Sequence, residues 1–405
     1  MAIYFVTFLL SSMLVQAAGR ARSTIVRLTL LTPAVILTSV VAGVRDLHVG
    51  GPDAAAYGEP VFFTASQART IGELVFGAAP IYAADEQGYI GLNFLVSRFT
   101  SDVHVFLFVL AALTAGIVLG AIMLMRDHGS TGLMWLTFLC TSYVDTFNLL
   151  RQGPALALGL LGVALTIRHR RLAGLVVGLS GLLFHTSAVI FVPVWIITAY
   201  LMRAHPRPGR RAAFVVAAAG IGSFAGAPLI NLAAGFAGGR FAAYLTADAA
   251  GGAAFALDAL YRLVPLVAAV VAYRSLARTA ADAPAPAAGD EARAASDHGT
   301  TPRTAAPRIS ATDVQRTALL ALTALMAVEL VMIPLREISY PLYRVPLYFG
   351  YVKVVAYPMI VHSFRSHRTV AALALVGFVS AYFVLVVVQR NAGTYSSEIL
   401  GVVAG

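Results

Sequence analysis

Apolar runs long enough to cross a lipid bilayer recur from one end of this chain to the other. They fall at about 2–17, 26–44, 103–125, 133–149, 154–168, 212–235, 258–276, 317–335, 345–363 and 369–389. Within lipid every backbone polar group must be satisfied internally, so runs of this length are read as helices. The charged fraction agrees: 12% of the 405 residues, where an average soluble domain has about 25%. The expected fold is all-α, a polytopic integral membrane protein of roughly 11–12 transmembrane helices.

Loop charges set the expected topology. The first segment, AIYFVTFLLSSMLVQAA, has no positive residue before it and Arg20 and Arg22 after it, the reverse of a secretory signal. It reads as a retained first span with its N-terminus outside. Arg20, Arg22 and Arg27 then place the first loop in the cytoplasm. Counting crossings, the loop Arg168-His169-Arg170-Arg171 is also cytoplasmic, and so are Arg203, Arg207, Arg210 and Arg211. Both loops face inward only if 172–202 crosses an even number of times. FHTS interrupts that stretch from Phe184 to Ser187. The reading is two short helices meeting near His185 on the outer side, their freed backbone buried in protein or lining a wet cavity. Arg274, Arg278, Arg365 and Arg368 fall inside in the same scheme, and the C-terminus outside.

Two segments are not spans. Residues 279–313 are rich in Ala, Pro and small polar residues and cannot bury enough apolar surface to order, so a disordered cytoplasmic loop is expected. It separates 1–278, an N-terminal transmembrane bundle, from 314–405, the last helices of the same bundle. The outer stretch from Arg45 to Asp102 holds seven acids and three bases, net −4 in a chain of net +10. A loop this long is functional or disordered. Its amphipathic GYIGLNFLVSRF predicts a short interfacial helix over about 88–99.

Several function classes drop out. The basic residues sit in short loops as topology signals, and no basic helix with interleaved aromatics is present, so no nucleic acid is expected as a partner. Cys140 stands alone, giving neither an intrachain disulfide nor a metal site of the usual spacing. The glycines are scattered, without the patterns that cradle a nucleotide. Neither a cofactor nor a metal is expected.

The stretch FNLLRQGP, Phe147 to Pro154, is different. Arg151 sits between two apolar runs, and Pro154 falls where the first turn of the next helix tolerates proline. That helix start would point its free N–H groups outward beside Arg151 and Gln152, which makes an anion site. The plainer alternative is an arginine that snorkels to the headgroups. Other charges gather at the same level: Arg45 and Asp46, Asp145 and Asn148, His185, then Arg336, Glu337 and Arg344 around Tyr340 and Tyr343. Ionisable residues near a bundle interior are functional candidates by default. Each also has a plain alternative. Arg45-Asp46 could be an ion pair closing a helix, Glu86 a solvated loop charge and His185 a satisfied core histidine. Tyr57 and Tyr89 could be interface anchors, and Asn148 an interhelical link.

Four motifs, in order, carry a resemblance. RDLHVGGPDAAAY holds Arg45, Asp46, Asp53 and Tyr57. EQGYIGLNFLVSRFT holds Glu86, Tyr89 and Asn93. FNLLRQ holds Asn148, Arg151 and Gln152, and FHTSA holds His185 and Ser187. Together they resemble the EpsG family of polysaccharide polymerases, relatives of the Wzy-type O-antigen polymerases, over about residues 40–200. YRVPLYFG around Arg344 and the terminal GTYSSEIL match loosely. Gly51-Pro52 puts one extra residue before Asp53, so either Asp53 is displaced or the loop absorbs the insertion.

The resemblance implies a membrane glycosyltransferase of the bacterial plasma membrane, working on its outer face. The implied substrate is an oligosaccharide repeat unit on undecaprenyl diphosphate, and the implied partners are the bilayer, a chain-length regulator and a flippase. A diphosphate leaving group needs cations and helix-terminal N–H groups, which Arg151, Arg45 and Arg344 can supply. The acceptor hydroxyl needs a base, for which Asp46, Asp53, Glu86 and His185 are candidates. Asn148, Gln152, Tyr57 and Tyr89 would bind substrate. A glycan ligase would use the same arginines. A flippase would place its charges near the midplane, and an acyltransferase would need His185 on the cytoplasmic side.

Overall fold

The computed structural model describes residues 1–76, 86–236, 252–281, 311–337, 344–385 and 395–402. It is all-α and polytopic; among the described residues the only β feature is one antiparallel bridge, Ser397 to Val402. Among the described residues six helices are long and apolar enough to cross a membrane by length and composition, and three shorter apolar ones accompany them. Side chains such as Leu9, Met13, Ile25, Leu28, Val176 and Leu373 stand exposed on them. Exposed apolar surface on this scale marks a face built for lipid.

In chain order the helices are α1 (Ala2–Arg20), α2 (Thr24–Gly43), α3 (Glu59–Gln67), α4 (Ile71–Phe76), α5 (Gln87–Ser97) and α6 (Val103–Leu124). Then come α7 (Thr131–Phe138), α8 (Asp145–Asn148), α9 (Gln152–Ile167), α10 (Arg171–Leu179), α11 (Phe191–Leu201) and α12 (Pro208–Phe236). The last are α13 (Gly252–Ala281), α14 (Ala311–Met332), α15 (Val345–Gly350), α16 (Lys353–Ser363) and α17 (Arg368–Tyr382).

α9 is a central helix, packed against α6, α10 and α11; α14 does the same for α12, α13 and α15. Small residues let α9 and α10 approach: a side chain at Gly174 would run into the backbone carbonyl of Gly162. Polar side chains fix the helix starts. Asp102 accepts the His104 N–H at 2.9 Å and Ser130 accepts the Leu133 N–H at 3.3 Å, satisfying amides that a helix leaves orphaned.

Every predicted span has its helix, but two are broken. The stretch 133–149 is α7, a π-helical turn (Leu139–Tyr143) and α8. The stretch 345–363 divides after Gly350, against which the Glu329 carboxylate packs. The expected interfacial helix is α5, packed on α6 through Tyr89, Ile90 and Phe106. The expected reversal at His185 is present. α10 tightens into a 3-10 turn (Ser180–Leu183), His185 is extended, and a second 3-10 turn (Thr186–Ile190) leads into α11. From 282 to 310 the expected disordered loop lies outside the described residues, as do Tyr340 and Tyr343.

Candidate active site

The four motifs converge at one end of the bundle, and Arg45 is the joint. Its side chain is 1% exposed. The guanidinium donates to the carbonyls of Ala42, Val49 (3.3 Å) and Phe147 (3.2 Å), and lies 4.3 Å from the Phe147 ring centroid. It thus ties the turn after α2 to the end of α8. Asp46 turns elsewhere, accepting the Glu398 N–H at 2.9 Å, while its own N–H donates to Ser396 at 3.0 Å. These bonds dock the C-terminal segment on the end of α2, and they hold the Asp46 carboxyl below its usual range, the Ser396 hydroxyl most of all. Arg45 and Asp46 are therefore bonded to different partners rather than to each other.

Two glycines turn the loop before Asp53. Gly50 and Gly51 adopt φ of +90° and +137°, a region L side chains avoid. The compact turn lets the Asn148 carboxamide accept the Asp53 N–H at 3.2 Å. A side chain at Gly51 would overlap that carboxamide. Gly51→Ala is expected to destabilise the fold by roughly 1–3 kcal/mol, through a strained φ and a displaced Asn148. A thermal melt of the detergent-solubilised protein reads this; an unchanged midpoint would refute the loop geometry.

Glu86 is the centre of the cluster. Its carboxylate, 4% exposed, takes the Arg151 guanidinium at 2.9 Å and lies 3.9 Å from His185 Nε2. The Thr186 N–H donates to it at 3.4 Å. The break before α11 thus spends freed backbone donors on side chains. The Ser187 N–H likewise donates to His185 Nδ1 at 3.1 Å. Since Nδ1 accepts, the neutral ring carries its hydrogen on Nε2, facing Glu86. Ser187 Oγ lies 2.6 Å from Nδ1 and 3.0 Å from the Tyr348 hydroxyl, which links α15 to the cluster.

Arg151 stands at the position just before α9, without a side-chain bond to the helix start, and lies over Tyr57, 5.1 Å from its ring centroid. Pro154 falls in the first turn of α9. Burial raises the Asp53 carboxyl above its usual range, against the opposing charges of Arg344 and Arg151. Gln152 is buried beside the Tyr348 hydroxyl, and neither of its amide atoms has a hydrogen bond of good geometry among the described residues. Such a group retains unused donor and acceptor capacity.

So Glu86, Arg151, His185, Asp53, Asn148, Tyr57, Gln152 and Arg344 gather here. Arg45 lies behind them, Asp46 at the C-terminal segment, and Tyr89 in the packing against Phe106 with ring centroids 5.8 Å apart. Sequence reading did not single out Tyr348, although YRVPLYFG contained it. It also missed a second buried pair, Arg262 to Glu329 at 2.8 Å. The available signal was Arg262 inside the apolar run 258–276 and Glu329 as the lone charge within 317–335. Among the described residues no cluster of His, Cys, Asp or Glu could hold a metal ion.

An all-α polytopic membrane protein with a buried carboxylate–guanidinium–imidazole cluster at one end of its bundle is the class these features define. The sequence model of the EpsG family matches residues 28–400, and the chain belongs to that family. Membership points to a role of the polysaccharide-polymerase type. No curated protein and no solved structure matches the chain.

Proposed function

We propose that this protein joins oligosaccharide repeat units carried on undecaprenyl diphosphate, at the outer leaflet of a bacterial plasma membrane. The observation that carries the reading is the buried Glu86 carboxylate, held by Arg151 at the start of α9 and facing the His185 imidazole. An acceptor hydroxyl attacks the anomeric carbon of the donor's first sugar. The new C–O bond forms as the bond to diphosphate breaks, and undecaprenyl diphosphate departs. Arg151 and Arg344 stabilise the charge gathering on the leaving oxygen, whereas the start of α9 adds little, since the Gly153 N–H is already bonded to the Leu149 carbonyl and Pro154 has none.

The hydroxyl proton goes to Glu86. His185 is the poorer base, because its acceptor nitrogen already takes the Ser187 N–H and its other nitrogen bears a hydrogen. Its Nε2–H instead orients Glu86. When diphosphate competes for Arg151, the carboxylate is released from its cation and becomes a stronger base. Asn148 holds the loop through the Asp53 N–H, the Asp53 carboxyl faces Arg344, and Gln152 and Tyr57 meet sugar. A flippase would supply the substrate, and a chain-length regulator would act on the product.

The test is the length distribution of surface polysaccharide in cells lacking the protein. Deletion is expected to collapse a long-chain ladder to single repeat units, and the wild-type gene to restore it. Long chains that form but never reach their final acceptor would make the protein a ligase. Repeat units stranded on the cytoplasmic leaflet would make it a flippase.

A further inference from the structure

We propose that an apolar groove between α11, α12 and α14 holds the polyprenyl chain of the lipid-linked glycan, with its diphosphate at Arg344 and Arg151. This inference rests on the polymerase reading above and adds where the carrier lies.

The groove has a volume of about 480 Å³ and is lined by Pro193, Ile197, Ala218, Gly222, Met332 and Val345, among others. That volume lies within the roughly 300–1,000 Å³ of small-molecule sites. Its lining follows one face of each helix. On α12, Phe214, Ala218 and Gly222 recur every four residues, about 12 Å of helix at 1.5 Å per residue. Ser223, a polar member of the lining, spends its hydroxyl on the Ala219 carbonyl at 2.7 Å. The walls therefore offer a ligand only apolar contact.

The charge at one end selects the occupant. Val345 and Phe349 of the lining follow directly on Arg344 and Tyr348 in the same short helix. Ile190 ends the turn that begins beside Glu86 and His185. A ligand lying in the groove would bring its head to the arginines, so it needs a long apolar tail and an anionic head. A smaller cavity of about 210 Å³ between α13, α16 and α17 is as apolar, but shares no element with that cluster.

Gly222 makes the test clean. A Cβ there meets nothing within 4 Å, so a bulky side chain can fill the groove without disturbing the helix. Gly116, on α6 and away from the groove, is equally open and serves as the matched control. Binding of undecaprenyl diphosphate and of geranyl diphosphate is measured on the full-length protein in lipid nanodiscs. Gly222→Trp is expected to weaken undecaprenyl diphosphate at least tenfold and to leave geranyl diphosphate unchanged, while Gly116→Trp changes neither. Equal loss of both ligands, or equal behaviour of the two variants, overturns the assignment and leaves the groove to ordinary bilayer lipid. Binding is read without polymerisation. A selective loss in Gly222→Trp, in cells whose deletion strain still makes full-length polysaccharide, would keep the groove and sink the polymerase.

Discussion

Arg151→Ala is expected to lower polymer formed per folded molecule by about 10²–10³-fold, the usual cost of removing a group that meets developing charge. Arg151→Lys should recover only part of this, since an ammonium keeps the charge but loses the planar fork that matches a phosphate. The alanine variant also strands the Glu86 carboxylate, 4% exposed, without its cation. Breaking a buried pair costs roughly 3–5 kcal/mol, toward the lower end here because Arg151 retains some solvent contact. Activity lost through unfolding must therefore be separated from activity lost through chemistry. Pairing Arg151→Met with Glu86→Gln removes both charges at similar volume, which is often neutral for stability. That double variant should melt close to the wild type and still make single repeat units. Long chains from a well-folded double variant would end the assignment of this cluster as the active site.

The second large effect falls on Arg45, and it should be one of stability. Arg45→Ala leaves a cavity and removes the donor from the Ala42, Val49 and Phe147 carbonyls at once. A loss of roughly 3–5 kcal/mol is expected, from lost packing and unsatisfied buried acceptors together. Lysine should not rescue it, because one ammonium cannot reproduce this set of contacts and the stacking on Phe147. Unfolding midpoints and polymer per folded molecule, measured side by side, decide the role. If polymer falls in step with folded protein, Arg45 is a strut. If a stable variant loses activity per molecule, Arg45 binds diphosphate, as its motif suggested.

Much of this was legible in the chain. The spans could be located because a bilayer imposes a minimum apolar length, and the hairpin at His185 followed from loop charge together with the polar break FHTS. Glu86, Arg151 and His185 were each visible as a polar group within or beside an apolar setting. Their mutual contacts were not. Arg45 looked like a partner for Asp46, yet the fold gives it to carbonyls and gives Asp46 to the C-terminal segment. Tyr348 looked like one aromatic among many until α15 brought its hydroxyl to Ser187.

The sequence by itself determined the membrane class, the family and the residue types at the site. These depend on local properties: hydrophobic length, charge in short loops and motif spacing. Only the tertiary structure decided which polar groups meet. Glu86 and Arg151 are 65 residues apart, and their contact depends on how α5 and α9 pack around α6. It also decided that Gly50 and Gly51 turn the loop so that the Asp53 N–H meets Asn148, and that Val345 and Phe349, next to Arg344 and Tyr348 in sequence, line an apolar groove. In a buried, low-dielectric cluster an ångström of packing determines whether a charge is paired, stacked or free to act, and linear spacing carries no such measure.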